Sequence, residues 1–244
     1  MDKHGRKIAG VIGGLGPAAT LDFFARVLKA TPAEYDQDHL RLIIDNNPWV
    51  PDRNAAIDGT GPSAGPALAE TARGLERAGA EFLVMPCNAA HAFQAGIEAA
   101  TPLPFISLID ETVKAALRDA PGAKRAGILG ARGTLRAGLY TRAFARHGVK
   151  TIDPEGERLD RLMAFIGAVK RDDVTEAVRA GMRALAAELE DEGADFIVAA
   201  CTEVPIVLSP GDTRTPLISS TDVLVERTVA YASGAEPLPV KKQQ

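Results

Sequence analysis

The strongest constraint on how this chain can fold is an internal repeat. Lys7-Ile-Ala-Gly-Val-Ile-Gly13 is echoed by Lys124-Arg-Ala-Gly-Ile-Leu-Gly130, a shift of 117 positions. Further on, Leu75-Glu-Arg-Ala-Gly-Ala-Glu-Phe-Leu-Val-Met-Pro-Cys87 is echoed by Leu189-Glu-Asp-Glu-Gly-Ala-Asp-Phe-Ile-Val-Ala-Ala-Cys201, a shift of 114. Two features recurring in one order at nearly one offset point to duplicated halves. Chance similarity between alanine-rich segments is the competing explanation.

Each half alternates short apolar runs with alanine-rich helical stretches. Strands are predicted at 8–12, 40–45, 82–85, 105–108, 126–129, 149–152, 196–199 and 217–219. Helices are predicted at 18–29, 67–78, 90–99, 110–120, 135–146, 157–169, 174–192 and 222–232. Most of the strands are short and largely apolar, as they are when helices cover both faces of a parallel sheet. The class is therefore α/β with parallel sheets.

Composition narrows the function classes. The 244 residues suffice for one large or two small cores. A net charge of -4, with lysines and arginines scattered, gives no basic field to gather nucleic acid or acidic lipid. The longest apolar stretches fall short of the roughly 18–20 residues of a membrane span, and the N-terminal one is too short and glycine-rich for a signal peptide. The expected location is the cytoplasm, where thiols stay reduced. The two cysteines then need not form a disulfide, and with no CxxC or His/Cys cluster they make a poor metal site.

Cys87 and Cys201 both fall at the carboxyl end of a predicted strand, where open α/β sheets bind ligands. A lone cysteine there is commonly a small core hydrophobe. Here each is followed by a small polar residue, Asn88 or Thr202, and each precedes a helix whose amides are expected to lower a thiol pKa. The two also occupy matching places in the repeat. His91 lies four residues after Cys87 and could approach that thiol, but Cys201 has no local histidine, although a repeat implies equal treatment. A symmetric pair of acid/base groups suits a symmetric reaction, in which one thiolate takes a proton from one face of a carbon and a thiol delivers one to the other. That is racemisation without a cofactor.

Other residues admit two readings each. Gly13, Gly14 and Gly16 form either a tight strand-to-helix turn or an anion nest of backbone amides. The long proline- and glycine-rich segment 45–66 is expected as an irregular lid-like loop, with Arg53 either a surface residue or a bidentate grip on a carboxylate. Lys170 ends a helix, where the dipole favours a cation in any case. Asn88, Thr134 and Thr202 sit at strand-to-helix turns, where capping and substrate contact can coexist. Glu203 is expected to compensate a helix dipole, and His91 to orient the Cys87 turn.

In these residues the chain resembles the aspartate/glutamate racemase family. The matching pieces are Gly13-Gly14-Leu15-Gly16-Pro17-Ala18-Ala19-Thr20, Pro51-Asp52-Arg53, Pro86-Cys87-Asn88-Ala89-Ala90-His91, Gly130 to Thr134, Lys170 and Cys201-Thr202-Glu203-Val204-Pro205. The resemblance implies two pseudo-symmetric flavodoxin-like domains, each a parallel sheet flanked by helices, with the active site in the cleft between them. On that pattern the first domain comprises residues 1–105 and 215–234, the second 106–214, and 235–244 form a loose tail. It implies Cys87 and Cys201 as the catalytic pair, with Cys87 serving the D form. It also implies substrate contacts from Gly14, Leu15, Gly16, Arg53, Asn88, Ala89, Thr134, Lys170 and Thr202. No cofactor or metal is implied, the partner is a small amino acid, and the assembly is a homodimer.

Paired cysteines argue against decarboxylating relatives, which keep one. Gly-Gly-Leu-Gly-Pro and Cys-Thr-Glu point away from glutamate racemases proper, which carry an acidic residue in the first turn and a histidine after the second cysteine. The family commonly has Thr or Ser where this chain has Ala89, so the amino acid is left open. A related isomerase acting on another α-acidic substrate and a catalytically silent small-molecule binding protein are the remaining alternatives.

Overall fold

A computed structural model describes residues 5–240. Two parallel four-stranded sheets, each flanked by helices, are formed one after the other along the chain. In order, the first half contains β1 (Ala9–Gly13), α1 (Pro17–Ala30), β2 (Leu42–Asn46), α2 (Arg53–Asp58), α3 (Gly65–Arg77), β3 (Phe82–Val84), α4 (Gln94–Ala100) and β4 (Phe105–Ile106). There follow α5 (Leu108–Asp119), β5 (Arg125–Gly130), α6 (Arg132–Arg136), α7 (Leu139–Ala145), β6 (Lys150–Ile152), α8 (Gly156–Lys170) and α9 (Glu176–Asp191). The chain closes with β7 (Phe196–Ala200), α10 (Val204–Val207), β8 (Leu217–Ser219) and α11 (Ser220–Ser233). It divides into one compact unit of 5–108 with 221–240 and a second of Ile109–Ser220.

Both sheets have the same order, β2-β1-β3-β4 and β6-β5-β7-β8. This is the start of the flavodoxin-like order. The registers correspond as well: Gly10 lies opposite Leu83 in the first sheet, and Gly127 opposite Ile197 in the second. Parallel strands cannot be joined by a tight turn, so helical crossovers separate them and bury the sheet faces. β1, β3 and β7 are accordingly buried along their whole length.

The repeat persists at the level of side-chain contacts. A Cβ on Gly10 would lie 2.8 Å from Ala80 Cβ and from Leu83 Cδ2, and 3.3 Å from Leu75 Cβ. One on Gly127 would lie 2.7 Å from Ile197 Cδ1, 3.1 Å from Leu189 Cβ and 3.2 Å from Ala194 Cβ. These are the same contacts shifted by the repeat: each glycine lets a helix lie close on its central strand. The acid opening each following strand is matched too. Glu81 accepts from Ile8 N–H at 2.9 Å, and Asp195 accepts from Lys124 and Arg125 N–H at 2.6 and 2.9 Å. Those two backbone donors hold the Asp195 carboxyl below its ordinary pKa.

Several boundaries differ from expectation for local reasons. Segment 45–66 is not wholly irregular: Asp52 caps α2 by accepting Ala55 N–H at 2.8 Å, and left-handed Gly59 ends it. The helix predicted at 90–99 begins as a 3-10 turn, Ala89–Phe93. The one predicted at 135–146 is split where Gly138 turns left-handed at φ 54. Segment 215–219, grouped by the family pattern with the first domain, supplies β8, which pairs with β7 in the second sheet. Residues 235–240 carry no regular structure, yet Glu236 is held by Arg227 Nη1 at 2.7 Å; residues 241–244 of the expected tail lie outside the described residues.

Because the two glycine contacts are equivalent, overpacking either should cost a similar amount. Gly10→Ala and Gly127→Ala are each expected to destabilise by about 1–3 kcal/mol. Urea unfolding of both variants checks this, and a neutral result at either site would contradict the close helix-on-strand approach.

Candidate active site

Each cysteine lies just past the carboxyl end of the strand that follows the central one, β3 for Cys87 and β7 for Cys201. Neither is in a disulfide. Both are 8% exposed, and each belongs to the apolar core of its own unit.

After β3, the chain turns through Met85 and Pro86, and Cys87 N–H donates to Met85 O at 2.8 Å. Asn88 is buried and opens the 3-10 turn, its carbonyl accepting His91 N–H at 3.0 Å. The His91 ring is wedged between two backbone groups. Leu108 N–H donates to His91 Nε2 at 3.0 Å, and Nδ1 lies 2.8 Å from Cys87 O. A backbone N–H can only donate, so Nε2 is the acceptor and Nδ1 carries the proton given to Cys87 O. Both ring nitrogens are thereby committed. His91 clamps the Cys87 turn and is not placed as a base for its thiol.

After β7, the thiol itself is engaged. Cys201 Sγ donates to Glu203 Oε2 at 2.8 Å, and Thr202 Oγ1 donates to the same oxygen at 3.1 Å. The other oxygen, Oε1, accepts from Lys170 Nζ at 2.7 Å. Glu203 is 5% exposed and precedes the single-turn helix α10. Burial pushes its carboxyl up, but the Lys170 charge and the donated hydrogen bonds outweigh it and hold the group below its ordinary pKa. For Cys201 the influences add the other way: burial first, then the Glu203 charge and hydrogen bond, push the thiol well up. This overturns the expectation that the following helix lowers it. A four-residue helix contributes little dipole, whereas a carboxylate in contact contributes a full charge.

Behind β7, the buried Tyr140 hydroxyl bonds to Thr112 and Ser220, and Ser220 Oγ donates to Ala199 O at 2.8 Å. Burial pushes the Tyr140 phenol up, so it stays neutral beside Cys201.

The other expected residues fall as follows. Gly14 has φ 85, and a Cβ there would meet Asn47 backbone at 2.4 Å, so only glycine fits. Its N–H donates to Thr20 Oγ1 at 2.9 Å, which removes one donor from the anticipated anion nest. Leu15 is in the same apolar cluster as Cys87, and Gly16 precedes α1. Arg53 opens α2 and gives Nη1 to Val50 O and Pro51 O, both at 3.1 Å, so it braces its own loop. Ala89 and Thr202 are buried. Thr134, in α6 just past β5, is 1% exposed with a hydroxyl that has no partner among the described residues.

Glu203 is the residue that sequence reasoning missed. Its place two residues after the cysteine was visible, but a glutamate at a helix start has a sufficient bland explanation, and the partner, Lys170, lies 33 positions away. Two surface concavities of about 910 and 610 Å³ are lined without either cysteine. No helix among the described residues is long and apolar enough to cross a membrane.

Duplicated flavodoxin-like units, each with a cysteine at an equivalent strand end, define an amino-acid racemase class of architecture. The Asp/Glu/Hydantoin racemase family model matches residues 12–228, and the chain belongs to that family, whose racemases are isomerases. It is 30% identical to Picrophilus torridus aspartate racemase, with a TM-score of 0.82 over 96% of both chains. It is 27% identical to the broad specificity amino-acid racemase RacX of Bacillus subtilis (strain 168), over 91% of this chain and 96% of that one. An aspartate racemase homologue from Pyrococcus horikoshii OT3 shares the fold, with a TM-score of 0.75 at 22% identity over 93% and 99% of the two chains.

The Glu203 pair makes a stability prediction with a defined sign. Its folded pKa lies below the ordinary 4.5, so its ionisation favours folding above about pH 4.5, and that contribution fades as pH falls through the folded value. Lys170→Met leaves burial unopposed by the ammonium and raises the carboxyl. With the Lys170 side chain 47% exposed, the loss at pH 7 should be about 2 kcal/mol, less than for a fully buried pair. The deficit should narrow as pH is lowered toward 4. Urea unfolding at the two pH values checks this, and a deficit independent of pH would contradict the assignment.

Proposed function

We propose that this protein racemises aspartate, glutamate or a similar small acidic amino acid, with Cys87 and Cys201 as two opposed bases and no cofactor. One thiolate takes the Cα proton, leaving a planar carbanion, and the other thiol protonates the opposite face. Reversing the reaction exchanges the roles. The observation that carries this reading is the equivalence of the two cysteines: both are reduced, equally buried, and just past the corresponding strand of identically ordered sheets.

On this reading the substrate is held by Gly14, Leu15, Gly16, Arg53, Asn88, Ala89, Thr134, Lys170 and Thr202. The unpartnered Thr134 hydroxyl supports its inclusion, because a buried hydroxyl left without a partner costs about 1–3 kcal/mol that a ligand would recover. Arg53 and Lys170 supply the positive charge an acidic substrate needs, the first by its remaining donors. The protein works in the cytoplasm as a homodimer, with a free amino acid as its partner and neither nucleic acid nor membrane.

The test is deuterium incorporation at Cα, followed by mass spectrometry across a panel of separate L- and D-amino acids, with chiral chromatography for racemisation. Acidic amino acids should exchange fastest; a preference for another class would favour the related isomerase. Cys87→Ser and Cys201→Ser should each reduce racemisation by on the order of 10³-fold. Each should still exchange the proton of the one enantiomer served by the remaining cysteine. Two single variants that racemise normally would refute the mechanism. Ligand-induced thermal stabilisation without any exchange would point to a silent binding protein.

A further inference from the structure

The larger concavity, about 910 Å³, lies wholly within the first unit, between α1 and α11. Pro32, Leu40, Val225, Val229 and Ala230 give it an apolar lining, and six charged side chains border it. Arg6 and Leu40 precede β1 and β2, so the groove reaches the amino-terminal end of the first sheet, whereas Cys87 lies past the carboxyl end of β3. Five of the six charges are committed. Arg6 Nη1 donates to the carbonyls of Gln37, Asp38 and His39 at 3.3, 2.8 and 3.4 Å. Arg26 is shared by Asp22 and Asp222, at 2.8 and 2.7 Å. Asp38 accepts Glu34 and Tyr35 N–H, both at 3.0 Å, and Glu226 has a partner of its own. The sixth, Lys29, makes no hydrogen bond or ion pair among the described residues.

The repeat shows what a cation at this position can otherwise do. The counterpart of Lys29, 117 positions on, is Arg146 at the end of α7, which pairs with Asp110 at 2.9 Å and so ties α7 to α5. Asp222 is the counterpart of Asp110, since it follows Ile218-Ser219 as Asp110 follows Ile106-Ser107. In the first unit, however, Arg26 takes Asp222 from a position one turn earlier on α1, and the Lys29 ammonium is left over on the border of the groove. We propose that the groove between α1 and α11 is a binding site for a small apolar carboxylate, with its hydrocarbon on Leu40, Val225 and Val229 and its carboxylate on Lys29. The sign of the ligand follows from the charges: the bordering acids are spent, and the open charge is positive. Its apolar body follows from the lining. Concave, mostly apolar sites of roughly 300–1,000 Å³ with a few polar groups are what small molecules occupy. This site is independent of the reading of the two cysteines.

Octanoate is the probe, titrated calorimetrically into the wild-type protein, with butyrate, hexanoate and octylamine for comparison. Affinity should rise about two- to fourfold with each methylene, as burial of the chain requires. Octylamine, with the same chain and the opposite charge, should bind on the order of tenfold more weakly. Lys29→Gln should weaken octanoate about threefold, within what an exposed ion pair supplies. Val229→Phe, which fills the groove, should weaken it on the order of tenfold, because the chain loses its apolar contact. Should V229F fail to fold, Ser233→Phe, at an exposed position on the same groove, takes its place. No saturable binding overturns the proposal. So does affinity that ignores chain length, octylamine binding as tightly as octanoate, or octanoate binding both variants as it binds the wild type. Light scattering on V229F supplies the last arm: conversion of a dimer to monomers would make the groove an interface between copies and overturn the ligand site. The binding readouts need no turnover, so they decide this site even if the protein exchanges no Cα proton, the outcome that would sink the racemase reading alone.

Discussion

A carboxylate held almost out of water keeps its charge only where donors replace the solvent, and at Glu203 three side chains are among them. Lys170 reaches it from the end of α8, Cys201 from the end of β7, and Thr202 from the turn between β7 and α10. One side chain therefore joins the last residue of a 15-residue helix to the carboxyl end of a buried strand. It also decides the state of the sulfur: with the carboxylate ionised, the proton stays on Cys201. Position, charge and protonation at this end of the second sheet all follow from satisfying one buried acid.

The two units share a topology and a register, while different side chains meet the turns that carry their cysteines. His91 fixes the Cys87 turn through backbone atoms, whereas Glu203 acts on the Cys201 thiol directly. Duplication conserves what packing demands, such as Gly10 and Gly127 under their helices, because a side chain there has nowhere to go. It does not oblige the strand ends to match.

The α/β class, all eight strands and the strand-end placement of both cysteines were legible because they depend on local periodicity and on a repeat visible in one sequence. The short helix α2 was legible in principle, since Asp52 and Gly59 are standard ends, but the prolines and glycines around them masked a six-residue helix. Gly138 was the residue that could have split the helix predicted at 135–146. The membership of β8 depends on pairing across the sheet, which periodicity does not report. Glu203 was illegible for the same reason. Its importance lies in a contact with Lys170 that forms only when α8 and β7 end side by side, and the helix-start position offered an adequate local explanation.

The commitments of the polar groups bear on how a substrate could be accommodated. Gly14 N–H serves Thr20, Arg53 Nη1 serves two carbonyls of its own loop, and Lys170 serves Glu203, while the Thr134 hydroxyl is buried and unspent. A carboxylate reaching any of these donors would compete for a group already in use. Competition for Lys170 has a chemical consequence. Drawing the ammonium away from Glu203 would remove the largest influence holding that carboxyl ionised.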